Sequence, residues 1–158
     1  MLESDYDWSG ILVDYDARLV AMCAQARPLS ICECKDLSTT GVEDLLQLHH
    51  APKEIDYLSF DIDYDEPRRK CLQSIDFDQR IIKALTFEHD RYLGGDAVMN
   101  ESREILQSKG MHLLCANVHF NGWDFEDWYI HKSLLDDRLR TIESVGKDYR
   151  EIVALCQS

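Results

Sequence analysis

Ile55-Asp-Tyr-Leu-Ser-Phe-Asp-Ile-Asp63 is a mostly apolar run that ends in a burst of carboxylates at Asp61, Asp63, Asp65 and Glu66. Its length and its β-branched and aromatic content read as a buried strand. Open α/β sheets bind ligands just beyond the carboxyl ends of their strands, so acids gathered at such an end are placed for chemistry. Ala84-Leu-Thr-Phe-Glu-His-Asp90 ends the same way, with Glu88, His89 and Asp90 at its tip. Two such tips point to one shared site.

Working outward, strands alternate with helices. Gly10 to Asp14 and Leu29 to Cys34 read as strands, separated by a helix over Asp16 to Ala26 that Pro28 stops. Thr40 to Leu48 reads as a short helix. Pro67 to Ser74 reads as another, because proline suits a first helical turn. Asn100 to Lys109 is a helix ended by Gly110, and Met111 to Val118 and Asp127 to His131 are strands with no helix between them. Leu134 to Leu155 reads as a closing helix bent near Gly146. The alternation predicts an α/β fold with a mostly parallel sheet and an antiparallel C-terminal strand pair. It is a single domain spanning 1–158.

Composition narrows the function. Thirty acidic against 17 basic residues give a net charge of -13, which repels polyphosphates, so neither nucleic acid nor an anionic membrane is an expected partner. No apolar run reaches the roughly 20 residues of a membrane span. Met1-Leu-Glu-Ser-Asp-Tyr-Asp has no signal-peptide character. The six cysteines form no C-x-x-C pair and read as reduced, buried thiols of a cytoplasmic protein.

Six blocks, Trp8-Ser-Gly-Ile-Leu-Val-Asp14, Ile55 to Asp63, Ser74-Ile-Asp-Phe-Asp78, Leu85-Thr-Phe-Glu-His89, Leu106-Gln-Ser-Lys-Gly110 and Asp127-Trp-Tyr-Ile-His131, resemble successive blocks of the FkbM-type methyltransferases, in order. The resemblance implies a Rossmann-like class I fold and transfer of a methyl group from S-adenosylmethionine to a hydroxyl of a sugar or natural-product substrate. It also implies that Asp14, or Asp16 if the strand ends later, holds the cofactor ribose, with Asp36 toward the adenine. The chain departs from the family in two places. There is no glycine-rich turn ahead of the Gly10 strand, so the domain is expected to be truncated before its second strand, with the Gly10 and Ile55 strands each losing a neighbour. The family's Glu-Gly after the fourth strand is replaced by Asp61-Ile-Asp63-Tyr-Asp-Glu66.

The crowded acids open two readings. Asp61, Asp63 and Asp90 are candidate ligands for Mg²⁺ or Mn²⁺, hard cations that take carboxylate oxygens. Asp63, Asp65 and Glu66 equally suit the N-terminus of the following helix. Without metal, His89 is the candidate general base, with Asp61 and Glu88 beside it. Trp123, Phe125, Trp128 and Tyr129 are candidate walls of an acceptor pocket. His49, His50, His112, His119 and His131 read as structural or solvated, and Arg68, Arg69 and Lys70 as a solvated helix face. The alternative function is a non-catalytic binding or assembly module retaining only the acceptor half of the fold. Unpaired edges make homo-oligomers an expectation.

Overall fold

A computed structural model describes residues 2–156. The chain runs α1 (Leu2–Tyr6), β1 (Ile11–Asp14), α2 (Ala17–Ala26), β2 (Ile31–Cys34), α3 (Leu37–Thr40), α4 (Val42–Leu48), β3 (Glu54–Phe60), α5 (Asp65–Gln73) and β4 (Ile81–Glu88). It continues with α6 (Arg91–Gly94), α7 (Asp96–Ser108), β5 (Met111–Phe120), β6 (Trp123–His131), a 3-10 turn at Lys132–Leu134, α8 (Asp137–Arg140), β7 (Ser144–Val145) and α9 (Tyr149–Cys156).

These elements form an α/β structure with two sheets. A mixed five-stranded sheet has the order β3-β4-β6-β5-β7, and a separate two-stranded parallel sheet joins β1 to β2. β3 runs parallel to β4, while β6 is antiparallel to both β4 and β5. The expected antiparallel pair is present, but β6 inserts between β4 and β5, so the larger sheet is mixed rather than mostly parallel. Asn121 and Gly122 (φ 52° and 83°) make the tight β5–β6 connection. Positive φ at both central residues is the turn geometry whose twist matches a hairpin.

The closing helix over Leu134 to Leu155 is a correction. Ser144 and Val145 pair in parallel with Cys115 and Ala116, and Gly146 takes a left-handed φ of 66°. A strand pairing and a left-handed residue cannot sit inside one helix, so the segment divides into a short helix, a strand and α9. Pro67 falls third in α5, which starts two residues earlier than expected. The first four helical N–H groups lack partners in any case, so proline is tolerated throughout that turn.

The core follows the strand alternation. Phe60 and Phe87 stack at 5.1 Å between ring centroids and join Leu72, Ile82, Leu106 and Tyr129 on one side of the sheet. Leu114, Cys115, Val118, Ile142 and Ile152 pack on the other. Val42, Leu46 and Leu37, which follow β2, belong to the first cluster, as does the half-buried Ile11 of β1. The helix layer therefore ties the small sheet to the large one. Of the six thiols only Cys71 and Cys115 are buried, and Cys34 and Cys156 are exposed because β2 and α9 lie at the periphery. No helix among the described residues is long and apolar enough to cross a membrane.

Candidate functional site

The carboxyl ends of β1, β2 and β3 open into one cavity of about 420 Å³. Asp14, Tyr15, Asp36, Asp61, Asp63, Tyr64 and Cys71 line it, with Lys35 as the basic side chain of the lining. That volume lies in the usual range for small-molecule sites. Asp14 accepts from the Asp16 N–H at 2.7 Å through one carboxylate oxygen. Asp36 caps α3, accepting from the Ser38 N–H (2.9 Å) and hydroxyl (2.6 Å), which hold its carboxyl below the usual range. Asp16 is placed differently. It caps α2 and pairs with Arg18 at 2.7 Å, and it is not part of the cavity lining. The strand ends at Asp14, and of these two residues Asp14 is the one that lines the cavity.

Asp61 also faces a second group at the tips of β3, β4 and β6. Glu88 and Glu126 are register partners across the β4–β6 ladder, a like-charged cross-strand pair. Burial, then the charge of Asp61 and the neighbouring Asp90, push the Glu88 carboxyl up to about 8. Burial likewise raises Glu126, although the Trp128 indole N–H donates to it at 2.6 Å. The group thus holds a proton near neutrality.

This fixes a pH dependence. An unfolded glutamate releases its proton near 4.5, whereas folded Glu88 keeps it until about 8. The folded state therefore binds the extra proton between those values, and its stability falls as pH rises through that window. Glu88→Gln should flatten this slope, leaving the melting temperature nearly unchanged at pH 5 and raising it at pH 8.5. An equal slope in both proteins, measured by thermal melts across pH 5–9, would remove Glu88 as its source.

Arg68 is the main departure from the expected solvated basic face. Its side chain is 1% exposed. Nε donates to the Ile62 carbonyl at 2.8 Å and Nη2 to Asp90 at 2.6 Å, fastening the β3 tip to the β4 tip. Arg69 and Lys70 do lie outward, on Glu101 and Glu66. Only the i, i+3 and i, i+4 relations to the buried Cys71 and Leu72 could have marked Arg68 in the sequence.

His89 lies inside the protein, 1% exposed and outside the cavity lining. Its Nδ1 accepts the Arg91 N–H at 3.2 Å, and its Nε2 sits 3.5 Å from Asp127. At that distance the second contact is electrostatic rather than a well-formed hydrogen bond. Nδ1 is taken, and Nε2, buried and without a hydrogen-bond partner, faces Asp127, so the ring lies away from the cavity. Asp127 is itself fully buried and accepts from Arg103, the Asn117 N–H and the Tyr129 hydroxyl. A break in the β5 register, with Asn117 at φ 52°, turns that N–H inward.

The metal reading does not fit. Among the described residues no three His, Cys, Asp or Glu side chains converge on a position that could hold a metal ion. Asp90 is taken by Arg68, and Asp63 lies at the cavity rim. Arg68 and the retained proton supply the counter-charge instead. Of the aromatic candidates, Tyr129 is buried and Trp123 is exposed, tilted against Tyr92 at 5.4 Å. Four of the other five histidines hold local pairs, His49 near Glu33 (2.9 Å), His112 near Glu143 (2.9 Å), His119 near Asp124 and His131 near the Ser133 hydroxyl (2.8 Å).

A further depression of about 340 Å³ lies by the amino end of β3, but Arg80 there spends its donors on Glu43, Ala51 and Pro52. It is a structural clamp. No family model, curated protein or solved structure matches this chain.

Proposed function

We propose that the chain belongs to a Rossmann-like, FkbM-type methyltransferase that uses S-adenosylmethionine, and that the cavity at the tips of β1, β2 and β3 takes the nucleoside part of the methyl donor. The observation that carries this reading is the convergence of Asp14, Asp36 and Asp61 from three strand ends on one cavity. A carboxylate accepts two hydrogen bonds at once and suits a ribose diol. Tyr15 and Tyr64, 69% and 79% exposed, flank the opening and offer faces for a planar base. Among the described residues β1 and β3 each keep one edge without a strand partner, which also supports the reading, since this fold keeps a strand at the point where strand order reverses.

S-adenosylmethionine supplies an electrophilic methyl group when bound. The chain's own part is positioning and proton handling. Asp14 orients the ribose, Arg68 fixes the β3 tip against Asp90, and Glu88 holds a proton that it releases near pH 8. An acceptor hydroxyl brought to the Asp61–Glu88 edge would surrender its proton to the Glu88 carboxylate. The acceptor in this reading is a small molecule or saccharide.

Calorimetric titration with S-adenosylmethionine and its demethylated product tests the proposal. Binding in the range of about 100 μM is expected. Asp14→Ala should weaken it about tenfold, the loss of a charge-assisted hydrogen bond pair, whereas Asp16→Ala should leave it within about twofold. No heat from either ligand, or equal loss in both variants, would sink the assignment.

A non-catalytic binding module is favoured by a different observation, the two strand edges left unpaired beside that cavity.

A further inference from the structure

The cavity at the tips of β1, β2 and β3 has four carboxylates in its lining, Asp14, Asp36, Asp61 and Asp63, and Lys35 is the basic side chain among them. The donors that meet Asp14 and Asp36 are neutral, the Asp16 N–H and the Ser38 N–H and hydroxyl, so they leave those charges uncompensated. The nearby cations are engaged elsewhere. Lys35 faces Glu33 at 3.5 Å, Lys70 holds Glu66 at 2.8 Å and Arg68 holds Asp90 at 2.6 Å. Lys70 acts on Asp36 only through space, as the least of the influences on it.

Two aromatic rings join these acids at the opening. Tyr64 sits at φ 66°, a left-handed conformation that bulky residues avoid, and its side chain is 79% exposed, so packing does not offset the strain. Strain of this kind gathers at ligand clamps. The Asp63 charge, ahead of burial and of Tyr64, raises the Tyr15 hydroxyl above its usual range, which puts Asp63 close to the second ring. The face of a tyrosine attracts a cation. Asp63 and Tyr64 both belong to the run that stands where the resembled family has Glu-Gly, so charge and ring here are this chain's own.

A cavity of 420 Å³ is about 9 Å across, less than the Debye length of about 10 Å at 0.1 M ionic strength, so an occupant feels all four acids with partial screening. S-adenosylmethionine carries a sulfonium that its demethylated product, a neutral thioether, lacks. We propose that the cavity sorts its ligand by charge, holding the sulfonium donor more tightly than the thioether, with Asp63 and Tyr64 as the discriminating residues. The proposal rests on the cofactor reading above and adds to it a reason for the spent cofactor to leave.

Calorimetric titration compares S-adenosylmethionine, the thioether and sinefungin, which carries a protonated amine in place of the methylated sulfur. At about 20 mM salt the two more cationic ligands should bind about tenfold more tightly than the thioether, and the gap should shrink to about twofold at about 500 mM salt. Asp63→Asn and Tyr64→Leu should each narrow the low-salt gap to about threefold. Both side chains are exposed, and thermal melts check that the variants fold as the parent does. A thioether bound as tightly as the donor at low salt overturns the proposal and leaves the cofactor reading standing. Sinefungin grouping with the thioether also overturns it, because the methyl group rather than the charge would then be read. So does a gap that both variants leave unchanged, which would assign the attraction to the net charge of -13 and not to the cavity. Silence from all three ligands removes the cofactor reading and this proposal with it.

Discussion

Replacing Arg103 with methionine is expected to lower stability by about 3–5 kcal/mol, because it leaves the Asp127 carboxylate buried without a counter-charge. Arg103 Nε and Nη2 donate to the two Asp127 oxygens at 2.7 and 2.8 Å. The Asn117 N–H adds a bond at 2.8 Å and the Tyr129 hydroxyl one at 3.2 Å. Burial by itself would raise the Asp127 carboxyl, but the Arg103 pair and the other donors overcome it and hold it down at about 2. The sign of the pH dependence follows. In the parent protein the network contributes stability that is complete above the ordinary value of 3.8 and is lost as pH falls toward 2.

In the Arg103→Met variant burial prevails and the carboxyl rises, so stability is lost as pH increases. Thermal melts at pH 5 and pH 8 distinguish the two. The variant should melt roughly 10 °C below the parent at pH 8 and by a smaller margin at pH 5. A uniform small drop at both would mean that solvent reaches Asp127. The double variant Arg103→Met, Asp127→Leu should recover part of the loss, since no charge is left buried and unpaired, while the Asn117 N–H and the Tyr129 hydroxyl lose their acceptor.

Arg68→Met is the second large effect, expected at about 3 kcal/mol, and it reaches the site. The guanidinium satisfies the Ile62 carbonyl and Asp90 from inside the protein. Methionine fills most of the volume but leaves that carbonyl and carboxylate without donors. The β3 tip then loses its attachment to the β4 tip, and Asp61, Ile62 and Asp63, which line the cavity, lose their fixed place. Ligand binding by the cavity should fall more than tenfold, while a distant core variant of similar destabilisation such as Ile152→Ala leaves it intact. Arg68→Lys should restore only part, because one ammonium cannot reproduce the planar fork that reaches both partners. Chemical denaturation beside calorimetry supplies both numbers, and intact binding in the methionine variant would reduce Arg68 to a packing role.

The legible parts of the fold were those written in local chemistry. β3 and β4 announce themselves by apolar runs with acidic ends, the end of α7 by Gly110, and the antiparallel pair by the lack of a helix between its strands. The cavity lining was legible at Asp14, Asp36, Asp61 and Asp63, because acids after strands belong at strand tips. What escaped the sequence depends on tertiary partners. The burial of Arg68 is set by Asp90, 22 positions away, and that of Asp127 by Arg103, 24 positions away. His89 was misplaced for the same reason, since its ring turns toward Asp127 rather than toward the tip. The C-terminal segment failed because Ser144 and Val145 take their conformation from β5, which no local pattern encodes.

The uneven depth of the molecule sets its kinetics. From residue 4 to residue 41 no side chain is buried, and α2 contributes none to either core. The five-stranded sheet, by contrast, carries both apolar clusters. Local opening free energies scale with such burial, so the β1–α2–β2 lobe should open and close many times within one lifetime of the main sheet. The acids at the tip of β1 are thus carried on the short-lived part of the protein and those of β3 and β4 on the long-lived part. The cavity between them is therefore expected to form and dissolve in fluctuations that leave the five-stranded sheet folded.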